Sequence, residues 1–144
     1  VRRISCSANI DSKEGVRIGT WNVQSLFEEG KISNVIQEMK RLKIEILGIS
    51  EMRWPGSGNC EVDDYHVYYS GEDGNHHWNG VGFILSPEVN RSVSSVCNIS
   101  DRVMMIQLNA TPVNINLVQV YAPTSRSSDE DLETFYTQVK QAQK

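Results

Sequence analysis

The stretch IEILGISE, residues 44–51, is almost continuously apolar and ends in a carboxylate. A short apolar run of this kind suits a strand buried on both faces. Upstream, VRIGTWNV (16–23) reads as another strand. Between the two, Ile32, Val35, Ile36, Met39 and Leu42 recur at helical spacing, with Lys31, Glu38, Lys40 and Arg41 off the stripe. That predicts an amphipathic helix opening at Gly30 and running to about Lys43. Strand, helix and strand over 16–51 make a βαβ-like unit.

Downstream the period changes. Residues 52–64 hold Pro55, Gly56, Ser57, Gly58 and Asn59 and read as a loop. YHVYYS (65–70) and VGFILS (81–86) read as strands either side of the polar turn GEDGNHHWNG (71–80). RSVSSVCNIS (91–100), RVMMIQLN (102–109) and VNINLVQVYA (113–122) follow like an antiparallel meander. Leu132, Phe135, Tyr136 and Val139 predict a last helix, with Ser128 and Asp131 spaced as a capping box. Residues 1–15 are polar and unpatterned, a tail ahead of a domain at 16–144. The expected class is α/β (α+β): a mixed, mostly antiparallel sheet of six or seven strands with helices on one face. Nothing in 144 residues is left over to cover the other face, which predicts a missing part and a poorly soluble or dimeric chain.

Composition narrows the function classes. Lys and Arg number 14 against 18 Asp and Glu, a net charge of −4, unlike a dedicated basic nucleic-acid binder. Cys6, Cys60 and Cys97 are widely spaced, which suggests neither a zinc site nor a disulfide framework. No run is long enough for a membrane span, and the first fifteen residues lack the apolar core of a signal peptide. The expectation is an intracellular protein, nuclear if it works on DNA, and an excerpt of something longer, since it begins at Val1.

Two polar residues stand out by position. Asn22 ends the first strand and Glu51 the second. If those strands are neighbours, an amide oxygen and a carboxylate emerge at one edge, hard ligands suited to Mg²⁺ or Mn²⁺ rather than zinc. The plainer alternative is a strand-end turn and a surface glutamate. Tyr121, before Pro123, either donates to a phosphate oxygen or packs on its loop. His76 and His77, in a Gly/Asn turn, suit solvent better than a ligand role.

IGTWNVQSL, ILGISEMRW, NGVGFILS, SDRVMMIQL and VQVYAPTS occur in that order. Together they resemble the endonuclease/exonuclease/phosphatase superfamily, and within it the apurinic-endonuclease-type domain of non-LTR retrotransposons of the RTE/BovB kind. The resemblance spans 16–144 and implies a four-layer α/β/β/α sandwich. It implies that Asn22 borders the metal and scissile phosphate, that Glu51 binds Mg²⁺ (or Mn²⁺), and that Tyr121 helps hold the phosphate. Arg102, Trp54 and Asn79, in the loop 75–79, would approach DNA. The implied reaction is phosphodiester hydrolysis that nicks target DNA for a reverse transcriptase carried on the same polypeptide. The family's later Gly-Asp-x-Asn and Ser-Asp-His motifs do not occur after Tyr121. The expectation is therefore an N-terminal portion lacking the second sheet, inactive in nicking by itself because members of a catalytic unit are absent together. The alternatives are a phosphatase-type member and a non-catalytic relic or interaction module.

Overall fold

The computed structural model describes residues 2–3, 10–11, 15–28, 30–72 and 79–143. Cys6, His76, His77 and most of the loop 75–79 lie outside the described residues. The strands are β1 (Arg2–Arg3), β2 (Ile10–Asp11), β3 (Ile18–Asn22), β4 (Ile46–Ser50), β5 (Ser57–Val62), β6 (Tyr65–Ser70), β7 (Val81–Leu85), β8 (Val93–Asn98), β9 (Val103–Leu108), β10 (Ala110–Thr111) and β11 (Ile115–Val120). The helices are α1 (Lys31–Leu42), α2 (Pro87–Asn90) and α3 (Asp129–Ala142).

The expected βαβ unit forms. α1 starts after Gly30 and stops where Lys43 turns left-handed, with Ile32, Val35, Ile36 and Met39 buried. It returns the chain to β4, which pairs in parallel with β3. The first sheet runs β3-β4-β7-β6-β5. Leu47, Ile49, Val67 and Ile84 of this sheet pack against the α1 stripe. Alternation sends Ile46, Phe83, Leu85 and Tyr68 to the opposite face.

That opposite face is not bare. A second sheet, β1-β8-β9-β11, lies against it. Val93, Val96, Met104, Ile106 and Leu108 complete one core with Ile46, Phe83 and Leu85. On the second sheet's outer side, Phe135 and Ala142 of α3 cover Val103, with Val118 and Val139 beside them. The layers run α1, first sheet, second sheet, α3. This corrects the expectation of a single sheet with an exposed face and a missing second sheet. Both sheets are built within these residues, because the meander 93–120 leaves the first sheet after β7 and folds back over it. The expected insolubility loses its physical basis with that face.

Two local readings also change. Residues 57–62 are a strand, not loop: β5 pairs antiparallel with β6 through the two-residue turn Asp63-Asp64, both at positive φ (49° and 71°). Such turns demand left-handed residues, and Asp tolerates that region better than most. The chain then crosses between sheets through α2, whose N-cap Ser86 accepts from the Val89 N–H with Pro87 in the first turn. Within the segment expected as a tail, β1 pairs with β8 and β2 with β10. α3 carries the full Ser128/Asp131 capping box.

Candidate active site

β3 and β4 run in parallel, so their C-terminal ends share an edge. Asn22 is opposite Ser50, and the Val23 N–H continues the ladder to the Ser50 carbonyl at 3.1 Å. Glu51 follows at once with φ 55°, in the left-handed region, which costs a residue with a Cβ about 1–2 kcal/mol. The turn is held against that cost. The Glu51 carbonyl accepts from the Ser25 N–H at 2.7 Å, and the next two N–H groups donate to Gly80 and Asn79 carbonyls at 3.1 and 2.8 Å. A strained non-glycine residue fixed this firmly at a strand end is the kind found where function needs a direction.

The second sheet reaches the same edge. The Tyr121 N–H donates to the Arg102 carbonyl at 2.8 Å, which extends the β9–β11 ladder by one step. The Tyr121 hydroxyl then crosses to the first sheet and donates to Glu51 Oε1 at 2.5 Å. That bond to Glu51, then desolvation and the carboxylate's charge, raise the Tyr121 hydroxyl above its ordinary range, against the opposing pull of Arg102 and Arg53. Arg102 lies over the Tyr121 ring at 5.1 Å and donates to the Tyr121 carbonyl at 3.1 Å. Arg53 stands 3.9 Å from Glu51 Oε2. The Glu51 side chain is 17% exposed. A carboxylate, a phenol and two guanidinium groups thus meet where the sheet edges converge, and the cations suit an anionic ligand.

The other sequence candidates are placed as follows. Asn22 is at this edge, on the strand beside Glu51. Its Oδ1 accepts from the Gln24 N–H at 3.2 Å, the ordinary turn left open by the sequence. A carbonyl-type oxygen has a second lone pair, so the turn leaves it able to serve a cation. Asn79 is also there, with its amide donating to Asp101 Oδ2 at 2.7 Å. Trp54 is held differently. Its indole N–H donates to the Leu26 carbonyl at 2.8 Å and its ring meets Tyr69 edge-on. It packs beside the α1 core, half-buried. Among the described residues, no group of three or more His, Cys, Asp or Glu side chains lies together. Cys60 and Cys97 are free thiols. Asp101 was not singled out in the sequence; its place within SDRV, directly before Arg102, was the available signal.

This layering is an AP endonuclease-like α/β fold. The chain superposes on an AP endonuclease from Archaeoglobus fulgidus with a TM-score of 0.58 and 22% identity, over 89% of this chain and 49% of that one. It superposes on the catalytic domain of Xenopus laevis APE2 with a TM-score of 0.55 and 14% identity, over 84% and 51%. In sequence the chain is similar to craniofacial development protein 2 of Bos taurus, 40% identical over 125 residues, and of Tragulus javanicus, 39% identical over 125 residues. Each of those matches covers 86% of this chain but 21% of the relative, so the chain spans about a fifth of their length. No family model matches the chain. No helix among the described residues is long and apolar enough to cross a membrane.

Proposed function

We propose that residues 16–144 form part of a metal-assisted DNA endonuclease domain of the non-LTR retrotransposon type, one whose site is completed by residues outside this sequence. The observation that carries the reading is the Glu51–Tyr121 bond across the two sheets, with Asn22 on the adjoining strand end. The donor set fits Mg²⁺ or Mn²⁺. Both side chains offer oxygen, and Arg53 stands 3.9 Å from Glu51 Oε2, beyond hydrogen-bond length. Glu51 and Asn22 would hold the cation, which when bound would neutralise charge on the phosphoryl group.

The chain's own residues have separable tasks. Tyr121 orients the Glu51 carboxylate and presents a hydroxyl where a phosphate oxygen would lie. Arg102 fixes the Tyr121 ring and, with Arg53, adds positive charge at the edge, offsetting locally the net charge of −4. Asn79 joins the two sheets beside them, and Trp54 braces the loop that follows Glu51. On this reading the partner is duplex DNA, the product is a nick that primes a reverse transcriptase, and the working place is the nucleus.

The test is relaxation of supercoiled plasmid in Mg²⁺ by the longer polypeptide that contains these residues. Nicking is expected, with loss of about two or more powers of ten on Glu51→Gln. Nicking that ignores Glu51 overturns the reading. The 144-residue chain by itself is expected not to nick, and Glu51-dependent nicking by it refutes the need for further residues. A second reading, a binding module without catalysis, is favoured by one observation: Glu51 already has a close hydrogen-bond donor in Tyr121 and a cationic neighbour in Arg53. It predicts DNA binding that persists with chelator and survives Glu51→Gln.

A further inference from the structure

The two sheets are joined at this edge by more than the Glu51–Tyr121 bond. Asn79 Nδ2 donates to Asp101 Oδ2 at 2.7 Å, and the Gly80 N–H donates to the Asp101 carbonyl at 3.0 Å. Asn79 and Gly80 in turn hold the chain that leaves Glu51, through their carbonyls and the Arg53 and Met52 N–H groups. Gly80 has φ +103°, and a Cβ there would stand 3.1 Å from the Arg53 nitrogen, so this turn packs tightly against the Glu51 turn. On its other side Asp101 leads into Arg102, which stacks on Tyr121. Next to it, Ser100 is fixed as well: its carbonyl accepts from Ser70 at 2.6 Å, and its hydroxyl accepts from the Arg102 and Val103 N–H groups and donates to Gln138 of α3. Asp101 thus sits between the backbone that aims Glu51 and the residue that braces Tyr121.

We infer that Asp101, acting through Asn79, is a positioning residue that sets the spacing between Glu51 and Tyr121. Its meaning for catalysis rests on the phosphodiester reading of the site; its geometry does not. The bond is charge-assisted and partly shielded, the stronger class of hydrogen bond. Losing it loosens the 79–80 turn first and the Glu51 turn through it, while the strand cores are held by their own ladders.

The test is amide hydrogen exchange by NMR on the ¹⁵N-labelled chain. In Asp101→Ala, the amides of Met52, Arg53 and Gly80 are expected to exchange roughly ten- to a hundredfold faster, as loss of one charge-assisted bond predicts. Amides of Ile84 and Ile106, in the strand interiors, should hold their rates. Asp101→Asn keeps an oxygen that accepts from Asn79 and should restore most of the protection. Denaturation of Asp101→Ala, Tyr121→Phe and the double variant should show coupling, because a role confined to the 79–80 turn would leave the two changes additive. Unchanged Met52 and Arg53 exchange, acceleration spread evenly over the strands, or an Asn variant no better than Ala overturns the inference. If Asp101→Ala fails to fold, Asn79→Ala removes the same bond from the other side and carries the same expectations. A Mn²⁺ titration of the unaltered chain runs beside it. Absence of Mn²⁺ binding there removes the metal-site reading and leaves the exchange result to decide the Asp101 role.

Discussion

Replacing Gly48 by alanine tests how closely the two sheets meet below the site. Gly48 lies in β4 with its hydrogen-bearing face toward β11. A Cβ placed there would collide with Gln119 Oε1 and stand 2.8 Å from its Cδ. Gln119 is 8% exposed, and its Nε2 donates to Thr20 Oγ1 at 3.3 Å. The φ of Gly48 is not in the left-handed region, so space alone is at issue. The side chain can yield in two ways. It stays and strains the packing, at about 1–3 kcal/mol for an overpacked core. Or it swings aside and forfeits the Thr20 bond, worth about 1 kcal/mol, while opening a gap beside Phe83 and Leu117. Either route puts Gly48→Ala at roughly 1–3 kcal/mol of destabilisation. The discriminating measurement is a double-mutant cycle with Gln119→Ala, followed by urea denaturation. With the amide gone the new methyl has room, so the double variant should be more stable than the sum of the single losses by about 1–2 kcal/mol. Additivity within about 0.5 kcal/mol would mean that β4 and β11 are not stacked as described.

Other consequences follow from single residues. Glu51→Gly and Glu51→Ala both lose the Tyr121 bond, but glycine accepts the left-handed turn, so the Gly variant should be the more stable of the two by about 1 kcal/mol in urea. Phe135→Ala should cost about 3 kcal/mol and loosen α3 from Val103, read as lost helical circular dichroism ahead of the main transition. The raised Tyr121 hydroxyl makes a pH prediction with a definite sign. Its contribution is complete below the ordinary tyrosine pKa of about 10 and is lost as pH rises from there through the higher folded-state value. Urea midpoints should therefore fall across that alkaline range, and fall less in Tyr121→Phe. Tyr65, raised mainly by burial, is retained in both proteins and cancels in the comparison.

Much of this was legible where one element decides its own form. The α1 stripe, the doubly buried β4 and the capped α3 follow from periodicity and end signals. β5 was hidden because SGNCEV lacks apolar alternation and its turn is Asp-Asp rather than a glycine pair. The division into two sheets was hidden for a different reason. The alternation of β8 and β9 says that one face is buried, not what buries it, and the partners Ile46 and Phe83 are distant in sequence. Asn22 and Glu51 could be placed at one edge from the βαβ unit. The contact of Tyr121 with Glu51 depends on how the sheets are stacked, and Asp101 became visible only once Asn79 was seen to hold it.

On the proposed reading Glu51, with Asn22 beside it and Tyr121 across from it, forms an oxygen-donor cation site at the converging sheet edges. Paramagnetic broadening by Mn²⁺ in ¹H–¹⁵N spectra reads that place directly. Broadening is predicted to centre on residues 22–25, 51–53 and 121, and to vanish in Glu51→Gln. Broadening centred on the acidic first turn of α3, or unchanged by Glu51→Gln, would rule out a cation site at Glu51.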